Sequence, residues 1–417
     1  MLLVINMAIA YIIIMGNTRH WHTMAIGLCK SPCKLLPMMY PPEYLVMIPG
    51  PTNVPYRVMQ AMLAPIINHR SDDFRVLHRS LQDKLKHVFQ TENDIVVLTT
   101  SGTGAVEASV ANLIRKGDRV LIPVNGEFSE RLAKMIELAG GEAIKVRAPY
   151  GSIPSYEQVK EAYESSKNIK ALYVVYNETS TGTRITWLDR VKDLIARDDS
   201  YFVVDAVSNL GGDDLPVDRW GVDICVTASQ KCLAAPPGVA PLSLSKRAIK
   251  FMKDNPPNTL YLNLPRYLKY YEENAETPFT PALPLYFALH EALTIIEEEG
   301  LDPRIKRHKE CAKVFYDTLA KMGFEHFTEQ SCRSHTVIAL NYPDGLEDKR
   351  FRSTLANEFK VLVAGGFGEL KGKIWRIGCM GEVNGYHVKR TLSSIASTLE
   401  MLNTKAKATT TTTTTLA

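Results

Sequence analysis

The sequence predicts an α/β protein, with a large domain on a mostly parallel, seven-stranded sheet sandwiched by helices and a smaller α+β domain after it. Three observations predict this. Between residues 95 and 243, seven apolar, β-branched runs alternate with stretches of helical spacing, the pattern of a parallel sheet covered on both faces. From about Tyr286 that alternation gives way to two long helical stretches and two isolated strands. At 417 residues the chain also exceeds the usual size of one domain.

Taken in order, residues 1–37 are an atypical extension. Their apolar run, 1–15, is short for a membrane span and lacks the basic flank of a secretory signal. It reads as a weak anchor or, in preference, as an overextended start, with Met38 or Met39 as the true beginning. Residues 38–285 form an N-terminal arm and the large domain, with strands at 95–99, 119–123, 143–146, 171–176, 201–207, 225–227 and 239–243. Helical spacing falls at 105–115, 129–138, 156–165 and 188–197. The small domain, 286–403, has helices at 286–298 and 303–322, strands at 336–340 and 374–377, and a last helix at 385–402. Residues 404–417, rich in threonine and without an apolar pattern, are expected to be disordered.

Composition narrows the function. Hydrophobic content of 45% and charged content of 23% are those of a soluble globular protein. A net charge of +4 without basic blocks argues against nucleic acid as a partner. Seven scattered cysteines include one close pair, Cys29 and Cys33, and no second pair completes a zinc site. Reduced thiols in the cytoplasm, with no membrane partner, fit this usage.

The chemistry starts at Lys231, in Ala228-Ser-Gln-Lys-Cys232 between an apolar strand and the turn Pro236-Pro-Gly238. Lysine is seldom fully buried without a partner, so an amine beside core sequence invites a covalent explanation, an imine with an aldehyde cofactor. Twenty-six residues upstream, Tyr201-Phe-Val-Val-Asp-Ala-Val207 ends an apolar strand on Asp205. A lysine for the imine and a carboxylate for the pyridinium nitrogen are what pyridoxal 5'-phosphate asks of a protein. Thr99-Thr-Ser-Gly-Thr-Gly104 is a small-residue turn into a helix start, where Ser101, Thr103 and free amides would hold the phosphate. Alone it would read as a capped helix, and no Gly-Lys-Ser/Thr follows to make it a P-loop.

Further candidates follow the same logic. Thr179 or Ser180, in Asn177-Glu-Thr-Ser-Thr-Gly182, would meet the cofactor's phenolic oxygen. Phe128 would stack on one face of the ring and Val207 on the other, although either residue alone would read as core. Arg376, inside the apolar strand Lys373-Ile-Trp-Arg-Ile-Gly378, would grip a substrate carboxylate bidentately. The Pro49-Gly-Pro-Thr-Asn-Val-Pro55 segment would line the entrance.

The ordered series Met47-Ile-Pro-Gly-Pro51, Ser101-Gly-Thr-Gly104, Glu178-Thr-Ser-Thr-Gly182, Val204-Asp-Ala-Val207, Ser229-Gln-Lys231, Thr280-Pro281 and Trp375-Arg-Ile-Gly378 resembles the class V aminotransferases. Within them the resemblance is to the alanine–glyoxylate/serine–pyruvate aminotransferase family, and it spans roughly residues 39–403. It implies a fold-type I pyridoxal-phosphate enzyme, a homodimer with active sites at the subunit interface. On that resemblance Lys231 is the Schiff-base lysine and Asp205 the partner of the ring nitrogen. Ser101, Gly102, Thr103 and Gln230 contact the phosphate, with Thr280 arriving from the neighbouring subunit. Ser180 faces the phenolic oxygen, Val207 the ring, and Arg376 the substrate carboxylate. The activity implied is ping-pong transfer of an amino group from alanine or serine to glyoxylate or pyruvate.

Three positions depart from the family's pattern. Phe128 stands where tryptophan is frequent, Thr277 near where a partner tyrosine aligns, and Cys232 where a small residue is usual. Competing readings are cysteine desulfurase or lyase chemistry, a broader phosphoserine or aspartate transaminase, and a non-catalytic cofactor-binding protein. The first would need a mobile persulfide-forming cysteine, for which Cys332 is the candidate. The second would need extra cations near Arg376.

Overall fold

The computed structural model describes residues 43–196 and 198–413, with side chains to Leu402. The extension 1–37 and its Cys29–Cys33 pair therefore lie outside the described residues. Seven strands make the large sheet: β1 (Asp94–Leu98), β2 (Arg119–Val124), β3 (Glu142–Arg147), β4 (Ile169–Val175), β5 (Tyr201–Asp205), β6 (Ile224–Val226) and β7 (Ala240–Leu244). Their spatial order is β1-β7-β6-β5-β4-β2-β3. All neighbours are parallel except β7, which runs antiparallel to both β1 and β6.

The strands inside the sheet bury both faces, which is why their runs read as nearly continuous apolar sequence, whereas the edge strand β3 has no fully buried residue. Ile95, Val97, Leu121, Leu172, Val174, Phe202 and Val204 enter one core cluster. Their alternates Val96, Leu98, Val120, Ile122, Tyr173, Val175 and Val203 enter a second on the opposite face. Helices α1 (Asp72–Phe89), α2 (Gly102–Leu113), α3 (Glu127–Leu138) and α4 (Tyr156–Ser165) are amphipathic stretches that bury one face in these clusters. The stretch expected to be helical at 188–197 is a 3-10 turn, Leu188–Arg190, followed by a short helix, Val191–Ile195.

The described residues from Tyr44 onward cluster as one compact unit. Inside it the core divides later than the change of pattern at Tyr286. Helix α5 (Leu283–Glu299) places Leu283, Tyr286, Leu289, Leu293 and Ile296 in the first cluster beside Phe74 and Leu81 of α1. Its periodicity announces a helix but not which core it faces.

A third cluster joins α6 (Leu301–Lys321), α7 (Asp348–Phe359), α8 (Gly385–Thr413) and a three-stranded sheet of β8 (Val337–Asn341), β9 (Ala364–Gly365) and β10 (Ile374–Gly378). The arm crosses into it. Leu45–Val46 pairs in parallel with Val361–Leu362, and Leu45 and Met47 are core residues there. The backbone of α8 continues to Thr413, past the expected end at Leu402 and into the threonine-rich run expected to be disordered. No helix among the described residues is long and apolar enough to cross a membrane.

Candidate active site

The carboxyl ends of β1, β4, β5 and β6 open onto one cavity of about 160 Å³, the place where open α/β sheets bind ligands. Its walls hold Ser101, Gly102, Thr103, Phe128, Asp205, Val207, Gln230 and Lys231, eight of the residues expected from sequence.

At the mouth of β1, Ser101 caps α2 and its hydroxyl accepts from the Gly104 amide at 3.2 Å. The remaining first-turn amides have no acceptor within the helix and face the cavity side, with the positive end of the helix dipole behind them. Gly102 leaves the backbone close to the floor. A Cβ there would come within 3.0 Å of Ala228 Cβ and 3.1 Å of the Val207 methyls.

Asp205 ends β5 and accepts from the Val207 amide through Oδ1 at 2.9 Å. Burial raises its carboxyl to about 6, with the Val207 hydrogen bond acting the other way. Its second oxygen is left to the cavity. Lys231 rises from a turn after β6, closed by Ala234 N–H to Lys231 O at 3.0 Å and Ala235 N–H to Ser229 O at 2.9 Å. Burial lowers its amine to about 8. The amine donates to the Pro49 carbonyl, so the entrance segment read from sequence lies directly over the lysine.

Gly50 makes that approach possible. Its φ of +91° disfavours any side chain, and a Cβ would fall 2.6 Å from both Cδ and Nζ of Lys231. Gly50→Ala is therefore expected to cost about 1–3 kcal/mol of stability. It should also weaken cofactor retention by pushing the lysine aside. A thermal melt and a cofactor titration check the two effects separately.

Phe128, at the start of α3, lines the cavity, as does Val207. Its ring stacks on Phe367 at 6.2 Å and 25° and carries the Arg131 guanidinium 4.7 Å from its centroid. Arg131 lines the cavity too. It follows Phe128 by three residues, a helical neighbour that the spacing alone makes legible.

Three expected residues stand off the cavity wall. Ser180 is fully buried and turned into another network, where its hydroxyl donates to Glu178 Oε1 at 2.5 Å and accepts from the Glu127 amide at 3.0 Å. Thr179, the alternative the sequence left open, and Asn177 line the cavity instead. Thr280 is exposed and lies outside the cavity of its own chain. Arg376, in the middle of β10, donates Nη1 to the Thr179 carbonyl at 2.8 Å, and Nε and Nη2 to the Gly365 carbonyl at 3.0 and 2.8 Å. It thus reaches the rim through Thr179, and burial lowers its guanidinium to about 10.

Sequence reasoning missed Glu178. This buried carboxylate accepts from the Phe128 and Ser129 amides at 3.2 and 2.9 Å, capping α3 and fixing the start of the helix that presents Phe128. Its only signal is its place beside Thr179 at a strand end. Cys332, the desulfurase candidate, is fully buried with Sγ directed at the backbone of its own turn, 3.5 Å from the Glu329 carbonyl oxygen, and it does not line the cavity.

These residues fit pyridoxal phosphate on their own chemistry. The cavity offers free helix-start amides, a carboxylate oxygen without a partner, an amine, and the side chains of Phe128 and Val207 in its lining. Gln230 lines the same cavity, and its side-chain amide N–H is the group it can donate to a phosphate.

Residues 48–369 match the family profile described as aminotransferase class-V. The chain is 44% identical to an uncharacterized aminotransferase of Methanocaldococcus jannaschii over 87% of this chain and 94% of the relative. It is 32% identical to a serine–glyoxylate aminotransferase of Methylorubrum extorquens over 81% and 86%. Among solved structures, the alanine–glyoxylate aminotransferase of Nostoc sp. superposes with a TM-score of 0.83 at 34% identity, covering 87% of this chain and 97% of that one.

Proposed function

Because the chain belongs to the class V aminotransferases, whose cofactor is pyridoxal phosphate, we propose that it moves an amino group from alanine or serine to glyoxylate or pyruvate in two half-reactions. The observation that carries this reading is the convergence of the Lys231 amine, the Asp205 carboxylate, Phe128 and Val207 on one cavity, with Arg376 bound to its Thr179 wall. Pyridoxal phosphate supplies an aldehyde that condenses with amines and a protonated ring that takes up the electron pair of a broken Cα–H bond.

The protein's residues do the rest. Ser101, Gly102, Thr103 and Gln230 bind the phosphate, and Asp205 holds the proton on the ring nitrogen. Phe128 and Val207 keep the ring in its plane. Thr179 takes the place by the phenolic oxygen that the resemblance gives to Ser180. Arg376 has five N–H groups, of which three bind the Gly365 and Thr179 carbonyls. The remaining two form the fork for a substrate carboxylate. Lys231, with its amine lowered to about 8, has a proton affinity suited to taking the Cα proton and returning it near neutral pH.

Relatives named for glyoxylate as acceptor support the choice of a small oxo acid. The protein acts in the cytoplasm as a homodimer, in which the exposed Thr280 reaches the neighbour's phosphate. An absorbance titration tests the proposal. The visible band of the loaded protein should bleach with L-alanine or L-serine and return with glyoxylate or pyruvate. A band that no amino acid moves would leave a cofactor-binding protein without transaminase activity.

A further inference from the structure

Arg304, near the start of α6, is fully buried, and arginine is almost never so unless paired. Its Nη2 donates to the carbonyl oxygen of Cys232 at 2.9 Å, directly after the lysine. Its Nη1 donates to Glu299 Oε2 at 2.7 Å, and both nitrogens lie 3.4 Å from Glu382 Oε1. Glu299 is shared with Arg307, which binds it through Nε at 2.6 Å and Nη2 at 2.9 Å. Arg307 in turn donates to the Gly381 carbonyl at 3.3 Å and to the Val383 carbonyl. Gly381 closes the circuit, because a Cβ there would sit 3.3 Å from Lys231 O and 3.2 Å from Ala234 Cβ.

The Cys232 side chain holds the same turn from the other side. It packs with Val337 and Met380, directs its thiol at the Ser208 carbonyl at 3.6 Å, and leaves no room for a Cβ on Gly212, which would be 2.6 Å from the sulfur. The cysteine that departs from the family's small residue and the buried arginine thus brace one stretch of backbone.

We propose that Arg304 is a positioning residue for Lys231, fixing through the Cys232 carbonyl the turn that carries the lysine and so the depth of its amine in the cavity. This rests on the reading of Lys231 as the residue that carries the cofactor. Stability alone does not explain the arrangement, since apolar side chains can replace a buried ion pair without loss. What an apolar residue cannot supply is a directed donor for one buried carbonyl. Arg304 acts through the backbone. The amine itself meets the Pro49 carbonyl and Gly50 of the arm, while the charges of Arg376 on β10 and Asp205 on β5 and the buried Cys232 thiol of its own turn act on it electrostatically.

The test uses the full-length chain freed of cofactor and mixed with pyridoxal phosphate across neutral to alkaline pH. Visible absorbance gives the midpoint and rate of capture, and a hydride-trapped adduct on the Lys231 peptide confirms where capture occurs. Arg304→Met should raise the midpoint by about half a pH unit or more, toward the ordinary lysine value, and slow capture several-fold. Arg304→Lys keeps one donor for the carbonyl and should fall between Arg304→Met and the wild type. An unchanged midpoint and rate in Arg304→Met, whatever its melting temperature, overturns the proposal. If that variant does not fold, an unshifted Arg304→Lys overturns it. If the wild type itself forms no adduct, the reading of Lys231 fails first, and Lys231→Ala as the blank separates the two failures.

Discussion

Lys231→Ala is expected to abolish the hydride-trapped cofactor adduct and to lower transamination by at least about 10²–10⁴-fold, the usual contribution of a positioned acid–base group. The loss should not come from unfolding. The amine sits in a buried position, its hydrogen-bond acceptor is the Pro49 carbonyl, and no carboxylate forms an ion pair with it among the described residues. Desolvation lowers its folded pKa to about 8 against an unfolded value near that of a free lysine. The unfolded chain therefore holds the proton between these two values while the folded chain releases it, so wild-type stability rises with pH across that window. Lys231→Ala has no such term. Its melting temperature should equal or exceed the wild type's below pH about 8, and the difference should narrow as pH rises through the lysine range. Melts at several pH values, run beside the adduct assay, check both halves. A variant that melts far lower at neutral pH would mean that the lysine is structural.

Much of this architecture is legible in the sequence because burial on both faces makes the inner strands of a parallel sheet continuous apolar runs. All seven strands stand within two residues of their expected starts. Helix α1 is not among the expected elements, although Phe74, Leu81, Leu85 and Val88 carry its period. Helix α7 is harder to see, since only Phe351 and Leu355 are buried in a charged stretch. Asp205, Lys231 and Phe128 are legible because a strand end or a helix start fixes where each side chain points. Ser180 is not, because in the tight turn after β4 the hydroxyl that faces the cavity depends on the path of the turn, and Glu178 draws Ser180 away. Arg304 is illegible for a different reason. In sequence it is one of several cations along α6, and only its tertiary partners, Glu299 and the Cys232 carbonyl, distinguish it from exposed Lys306.

Asp205→Asn should separate stability from function in the opposite direction to an ordinary site mutation. In the free protein the carboxyl is raised to about 6 by burial. A raised carboxyl contributes stability that is complete below its unfolded value, near 3.9, and is lost as pH climbs through about 6. At neutral pH the ionised group thus destabilises the cofactor-free fold, by up to about 3 kcal/mol at 1.36 kcal/mol per pH unit, less what solvent in the cavity screens. Asparagine keeps an oxygen for the Val207 amide and carries no charge to desolvate. The cofactor-free variant should therefore melt higher than wild type above pH about 6 and no higher well below it. Function moves the other way. With no carboxylate to hold the ring proton, the cofactor stays a poor electron acceptor and Cα–H cleavage slows, by about 10²-fold or more if removing this charge costs at least 2.7 kcal/mol in the transition state. Wild-type cofactor affinity should fall as pH drops below about 6, where Asp205 protonates, and that dependence should vanish in Asp205→Asn. Differential melts and single-turnover bleaching with L-alanine measure the two effects independently. A variant that is less stable at neutral pH and equally active would remove Asp205 from the ring nitrogen.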